Sequence, residues 1–268
     1  MRTVILLPFL AAVSATAQTP ERPPAPVRII LVGDSTTAPN NGWGPGFCAN
    51  NVTPQVKCLN MAKNGRSTSS YRAEGSWTAV MNEFKSNSNF AATYVLIQFG
   101  HNDQPGKPGR STDLATEFPA NLRQYVNDVK STGARPILLT PLTRRIFKQG
   151  KLNNDLVPWG DAARKIAQEE HVPVLELNAD SSAAVQQMGP VEANTLAMAP
   201  PPPEVSAGAA KGESPPAPKT PATTEPNGKP APVFDYTHLG AKGSGFFGRM
   251  VAGELVNAVA ELRPYVKL

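Results

Sequence analysis

Two short stretches far apart in the chain hold residues that could together cut an ester: Ser35 in "VGDSTT", and Asp235 and His238 in "FDYTHLGAKG". A serine hydroxyl is a poor nucleophile until a base takes its proton, and that base works best when an acid holds it. A three-residue spacing lets Asp235 and His238 point the same way. The carboxylate would then bind one ring nitrogen and fix the tautomer, leaving the other nitrogen for Ser35. Of the other two histidines, His171 sits between a polar helix end and a strand and is expected at the surface. His101 directly follows an apolar run, with Asp103 as its nearest acid.

The elements that must bring these residues together are legible as periodic runs. "VRIILVGDS" (27–35), "VKCLNMA" (56–62), "YVLIQFG" (94–100), "RPILLTPL" (135–142) and "VPVLELN" (172–178) read as buried parallel strands. Helical patterns lie between them. One carries Trp77, Val80, Met81 and Phe84 on a single face; the next carries Leu122, Tyr125, Val126 and Val129 and stops at Gly133. Strand and helix in alternation predict an α/β fold, a parallel sheet with helices on both faces. Ligands in such folds gather beyond the carboxyl ends of the strands. Asp34-Ser35, Asn64-Gly65, His101-Asn102-Asp103 and Thr143-Arg144-Arg145 all follow a run, as that rule requires.

Outside this pattern, "MRTVILLPFLAAVSATAQTP" has a basic start, a short apolar run and a small-residue site, the order of a secretory signal peptide over residues 1–17. No segment is long enough to span a bilayer, so the mature chain is expected to be secreted or periplasmic, one domain over 18–268. Residues 190–232, rich in proline and alanine, are expected to form a flexible insertion, because they offer little apolar surface against the entropy of ordering. Cys48 and Cys58 could form a bridge in an exported protein. The net charge of +5 comes without a dense basic block, which argues against nucleic acid, and no Cys/His cluster has metal-ligand spacing. Asp34 and Asp103 are expected to brace their turns by accepting from backbone N–H groups.

Four blocks in order, "GDST" (33–36), "NGRSTSSYRAEG" (64–75), "GHND" (100–103) and "DYTHLGAKG" (235–243), resemble those of the SGNH (GDSL-type) hydrolases, most closely the rhamnogalacturonan acetylesterase branch. The resemblance runs from about Val27 to the C-terminus, apart from the proline-rich tract. It implies a three-layer α/β/α sandwich on a five-stranded parallel sheet, flavodoxin-like in order. Ser35 would be the nucleophile, Asp235 and His238 the rest of the triad, and Ser35 N–H, Gly65 N–H and the Asn102 amide the oxyanion hole. No cofactor or metal is implied. The implied substrate is an acetylated polysaccharide, rhamnogalacturonan first, with xylan, an envelope glycan or small lipid or aryl esters as alternatives. An inactive carbohydrate-binding protein is the reading from another class. Trp43 is a candidate platform for a sugar face, with packing as the alternative. Arg66, Arg72, Arg144 and Arg145 are candidates for galacturonate carboxylates, with solvation or internal ion pairs as the alternative.

Overall fold

The computed structural model describes residues 25–218 and 232–268; the expected signal peptide lies outside the described residues. Five apolar runs become parallel strands: β1 (Val27–Gly33), β2 (Val56–Asn60), β3 (Thr93–Gln98), β4 (Arg135–Leu139) and, after a hairpin of β5 (Phe147–Lys148) and β6 (Lys151–Leu152), β7 (Val174–Leu175). Their order in the sheet is β2-β1-β3-β4-β7. The chain reverses direction across the sheet between β1 and β3, and there a crevice opens beyond the strand ends.

Side chains alternate across a strand, so each strand feeds two cores. Ile29, Leu31 and Leu96 face one layer, with Phe47 of α1 (Gly44–Asn50) and Val251 and Leu255 of α8 (Ala241–Ala258). Ile30, Val32, Val95 and Ile97 face the other. That second core is completed by Tyr71 of α2 (Thr68–Ala73), Trp77 of α3 (Ser76–Glu83), Tyr125 of α4 (Glu117–Ser131) and Trp159 of α5 (Val157–Glu169). The result is the expected three-layer sandwich. Cys48 and Cys58 form a disulfide, with Cα atoms 5.6 Å apart, that staples α1 to β2.

The docking of α8 on α1 matters most for function, because α8 begins just after His238. The two helices touch backbone to backbone. A Cβ on Gly46 would lie 2.2 Å from Ser244 O, and one on Gly248 2.5 Å from Phe47 N. The Ser244 hydroxyl accepts from Gly46 N–H at 2.9 Å across this contact.

The expectation of a flexible tract over 190–232 does not hold for residues 190–218. The helix α6 (Leu177–Asn194) bends at Gly189, and α7 (Pro203–Ala209) follows. Val205 of α7 is buried against Phe234 and Tyr236. The segment then bonds to the β5–β6 hairpin, through Ser214 N to Phe147 O at 3.0 Å and Gly150 N to Gly212 O at 2.8 Å. Ala193, Leu196 and Ala209 are buried as well; proline loses little backbone freedom on folding, so these few apolar anchors and backbone bonds suffice to order such a stretch. Residues 219–231, the remainder of the tract, lie outside the described residues.

Two stability predictions follow from these packings. Val205→Ala should destabilise the fold by about 2 kcal/mol through lost transfer energy and a residual cavity, read as a lower urea midpoint at unchanged slope. On α8, both Glu254 carboxylate oxygens are buried without a hydrogen-bond partner among the described residues. Burial first, then the charges of Asp180 and Glu176, pushes this carboxyl up to about 8. Between the ordinary carboxylate range and that value, the folded chain holds a proton that the unfolded chain has lost. Stability therefore falls as pH rises through this window. Glu254→Gln should raise Tm more at about pH 9 than at about pH 5; an equal gain at both would contradict the assignment.

Candidate active site

Ser35 follows β1 by two residues and is 6 % exposed, on a turn that Asp34 organises. Asp34 Oδ1 accepts from Thr36 N at 2.9 Å and from Thr36 Oγ1 at 2.8 Å. Gln98 Nε2 donates to Thr36 Oγ1, and Trp43 Nε1 donates to Gln98 Oε1 at 2.7 Å. A buried polar chain thus runs under the serine from Asp34 to Trp43. Burial pushes the Asp34 carboxyl up, but the neighbouring His101 and the Thr36 bonds outweigh it and leave the net shift downward. His101 Nδ1 lies 3.5 Å from Asp34 Oδ2, and burial pushes its pKa down despite that carboxylate.

The acid–base pair returns to the sheet on the loop before α8. His238 Nδ1 lies 2.7 Å from Asp235 Oδ2, while Asp235 Oδ1 accepts from Thr237 N and His238 N, each at 2.6 Å. Burial raises the Asp235 pKa, but His238 and the two backbone N–H groups overcome that and hold the carboxyl at about 2. The carboxylate is therefore ionised and fixes the ring: Nδ1 carries the proton, and Nε2 is left as an acceptor. Leu239 N donates to Asn41 O at 2.9 Å and Gly240 N to Leu196 O at 3.0 Å, pinning the loop on its far side.

Ser35, Gly65, Asn102 and His238 line one cleft of about 370 Å³, together with Asn41, Asn64, His101, Lys107, Arg110, Arg144 and Thr237. Ser35 Oγ and His238 form no direct hydrogen bond; in unliganded sites such bonds are often long and tighten on substrate binding. The backbone N–H groups of Ser35 and Gly65 have no protein acceptor among the described residues. Gly65 has φ of 75°, a left-handed conformation that strains any residue with a Cβ. Asn102 Nδ2 gives one hydrogen to Arg66 O at 3.1 Å and keeps a second for the cleft. Asp103 joins the two donor turns: its Oδ1 accepts from Thr68 N at 3.0 Å, Thr68 Oγ1 at 2.5 Å and Thr112 Oγ1 at 3.0 Å. Both aspartates thus brace turns, as their positions predict.

The expected substrate contacts fare differently. Trp43 is fully buried and hydrogen-bonded to Gln98, so it cannot stack on a sugar. Arg145 is fully buried too, and its guanidinium donates to the carbonyls of Asp235 at 2.8 Å, His238 at 2.9 Å and Thr237 at 3.3 Å. It cannot reach a substrate carboxylate; it holds the acid–base loop instead. Arg72 pairs with Asp128 and lies 4.3 Å over the Tyr125 ring, within the helix layer. Arg66 is committed to Glu74 at 2.6 Å, and Arg144, although it lines the cleft, to Asp155 at 2.5 Å. Lys107 and Arg110, which the motifs did not single out, face the cleft. Their signal was present as two cations in the loop just after "GHND".

Residues 31–197 match the GDSL-like Lipase/Acylhydrolase family. The rhamnogalacturonan acetylesterase RhgT of Bacillus subtilis (strain 168) is 34% identical over 179 residues, covering 64% of this chain and 73% of that protein. The probable rhamnogalacturonan acetylesterase YesY of the same organism is 27% identical over 231 residues, 84% of this chain and 90% of its own length. Among solved structures, that of YxiM from Bacillus subtilis superposes with a TM-score of 0.60 at 22% identity, over 87% of this chain and 57% of that one, a likeness of fold. The chain belongs to the GDSL-like lipase/acylhydrolase family and is a carboxylic ester hydrolase of the SGNH kind, similar to its rhamnogalacturonan acetylesterase branch.

Proposed function

We propose that this chain removes acetyl groups from a plant cell-wall polysaccharide, rhamnogalacturonan first among them, by a serine acyl-enzyme route. The observation that carries the chemistry is the 2.7 Å pair of Asp235 and His238 opening onto the cleft that Ser35 lines. Ser35 Oγ attacks the acetyl carbonyl carbon while His238 Nε2 takes the hydroxyl proton. The electron pair of the carbonyl moves onto oxygen, where the free N–H groups of Ser35 and Gly65 and the remaining hydrogen of Asn102 Nδ2 receive the charge. Donors fixed in place before the reaction need no reorganisation, and each is worth about a hundredfold or more in rate.

Collapse of the tetrahedral intermediate breaks the bond to the sugar oxygen, which takes the proton from His238. Water, deprotonated by the same ring, then cleaves the acetyl-serine and returns Ser35 to its hydroxyl. The ionised Asp235 stabilises the imidazolium in both halves. The substrate assignment leans on what RhgT and YesY are named for. Export leans on the N-terminal sequence pattern and is supported by the Cys48–Cys58 disulfide, which oxidising compartments maintain.

Ser35→Ala should abolish acetate release from acetylated rhamnogalacturonan while leaving Tm within about 2 °C of the unsubstituted chain. Asp235→Asn should lower kcat by about a thousandfold or more, because the ring loses its fixed tautomer. Turnover unchanged in Ser35→Ala would end the reading. Faster release from acetyl-xylan than from acetylated rhamnogalacturonan would move the substrate while leaving the chemistry.

A further inference from the structure

The turns that carry Ser35 and Asn102 leave neighbouring strands, and the backbone ladder between them ends early. The last paired position of β1 and β3 is Gly33 with Gln98. Past it, among the described residues, one hydrogen bond ties the serine turn to the end of β3, from Gln98 Nε2 to Thr36 Oγ1. The other polar contact is Asp34 with His101, whose Oδ2 and Nδ1 lie 3.5 Å apart. Asp34 immediately precedes the nucleophile, and His101 immediately precedes the oxyanion amide. Gly100, at φ of 143°, a conformation that favours glycine, turns the chain just before the ring.

Both side chains are buried, and the His101 ring forms part of the cleft wall. Asp34 Oδ1 is engaged by Thr36, whereas Asp34 Oδ2 and both ring nitrogens of His101 have no hydrogen-bond partner among the described residues. Burial is the largest influence on the ring and lowers its pKa; Asp34 and Asp155 oppose that, and Arg144 adds to it. At neutral pH the ring is therefore neutral and the carboxylate ionised. Buried polar groups without partners are rare in a native fold and call for an explanation. A carboxylate can only accept, so only a ring with its proton on Nδ1 can satisfy Oδ2. The 3.5 Å gap is longer than an ordinary N–H···O bond, and such contacts in unliganded sites tighten when substrate enters.

We propose that Asp34 and His101 are a positioning pair: the ring donates from Nδ1 to Asp34 Oδ2 and fixes the distance between the Ser35 nucleophile and the Asn102 oxyanion donor. The inference rests on the ester-hydrolase reading of the cleft. One reacting carbonyl must meet Ser35 Oγ at its carbon and the Asn102 amide at its oxygen, so the spacing of the two turns is the spacing of the reaction. A misplacement of about 1 Å at such a point costs about a hundredfold in rate. The pair acts where the strand ladder has already ended, one residue before each reacting group.

Kinetics on phenyl acetate separate positioning from packing. His101→Asn puts an amide N–H where Nδ1 stands and should keep kcat within about threefold. His101→Leu keeps the bulk without the donor and should lower kcat about thirtyfold. Its KM should move less than about twofold, because the alignment matters only in the transition state. Nitrogen-15 spectra of the unsubstituted chain, labelled at histidine, read the tautomer directly, the His101 signals being those lost in His101→Asn. They should show a neutral ring protonated on Nδ1 at neutral pH. His101→Leu as active as His101→Asn, or a ring protonated on Nε2, would overturn the pair; if His101→Leu fails to fold, the spectrum decides alone. Absence of phenyl acetate hydrolysis by the unsubstituted chain would sink the esterase reading instead, and the spectrum would still decide the contact.

Discussion

A single buried guanidinium holds the Asp235–His238 loop at the edge of this cleft. Arg145 sits past the end of β4, and the loop it holds lies about ninety residues later, so nothing local fixes their separation. Its donors take the carbonyls of Asp235, Thr237 and His238, and its own backbone N–H takes Tyr236 O at 2.8 Å. With three side-chain contacts on one turn, the loop is left little freedom to tilt His238 away from the cleft. Burial lowers the guanidinium pKa to about 10, opposed by the Asp235 charge, so it remains a cation at neutral pH. An isolated buried charge is expensive, and carbonyl oxygens with the nearby carboxylate offset that expense. The same cation adds to the field that keeps Asp235 ionised.

Other constraints act on the same loop from outside. The close approach of α1 and α8 places the helix that begins three residues after His238. The 203–218 segment presses Val205 on Phe234 and Tyr236, and Tyr236 Oη donates to Pro215 O at 2.6 Å. The serine side is organised independently, by the buried chain from Asp34 through Thr36 and Gln98 to Trp43. The donor turns are organised by Asp103, whose carboxyl burial pushes up to about 6. Three separate supports therefore converge on one cleft, each anchored at the carboxyl end of a different strand.

The sheet, its helices and the acid–base pair were legible in the sequence because each has a local signature. Ile29 and Ile30 alternate between cores, and Asp235 and His238 lie three residues apart, close enough to be recognised as a pair. The sequence leaves Trp43 and Arg145 open between substrate contact and internal packing for a common reason: both lie in irregular chain, where no period of two or 3.6 says which way a side chain points. An arginine beside the site reads as a ligand for substrate anions whether it faces the cleft or the protein. Only the backbone carbonyls around Arg145 decide, and carbonyls carry no sequence signal. The 190–218 stretch was misread because composition counts apolar residues and not contacts. Ala193, Leu196, Val205 and Ala209 in the right places, with prolines already restricted in conformation, are enough.

Arg145 holds the loop on which Asp235 and His238 pair. The proton shared between His238 Nδ1 and Asp235 Oδ2 reports that geometry as a low-field resonance in the ¹H NMR spectrum. Recorded for the unsubstituted chain, Arg145→Lys and Arg145→Met, with amide spectra confirming the fold, it should be sharp in the first, weakened in the second and lost in the third. A folded Arg145→Met chain that keeps the resonance unchanged would contradict the account.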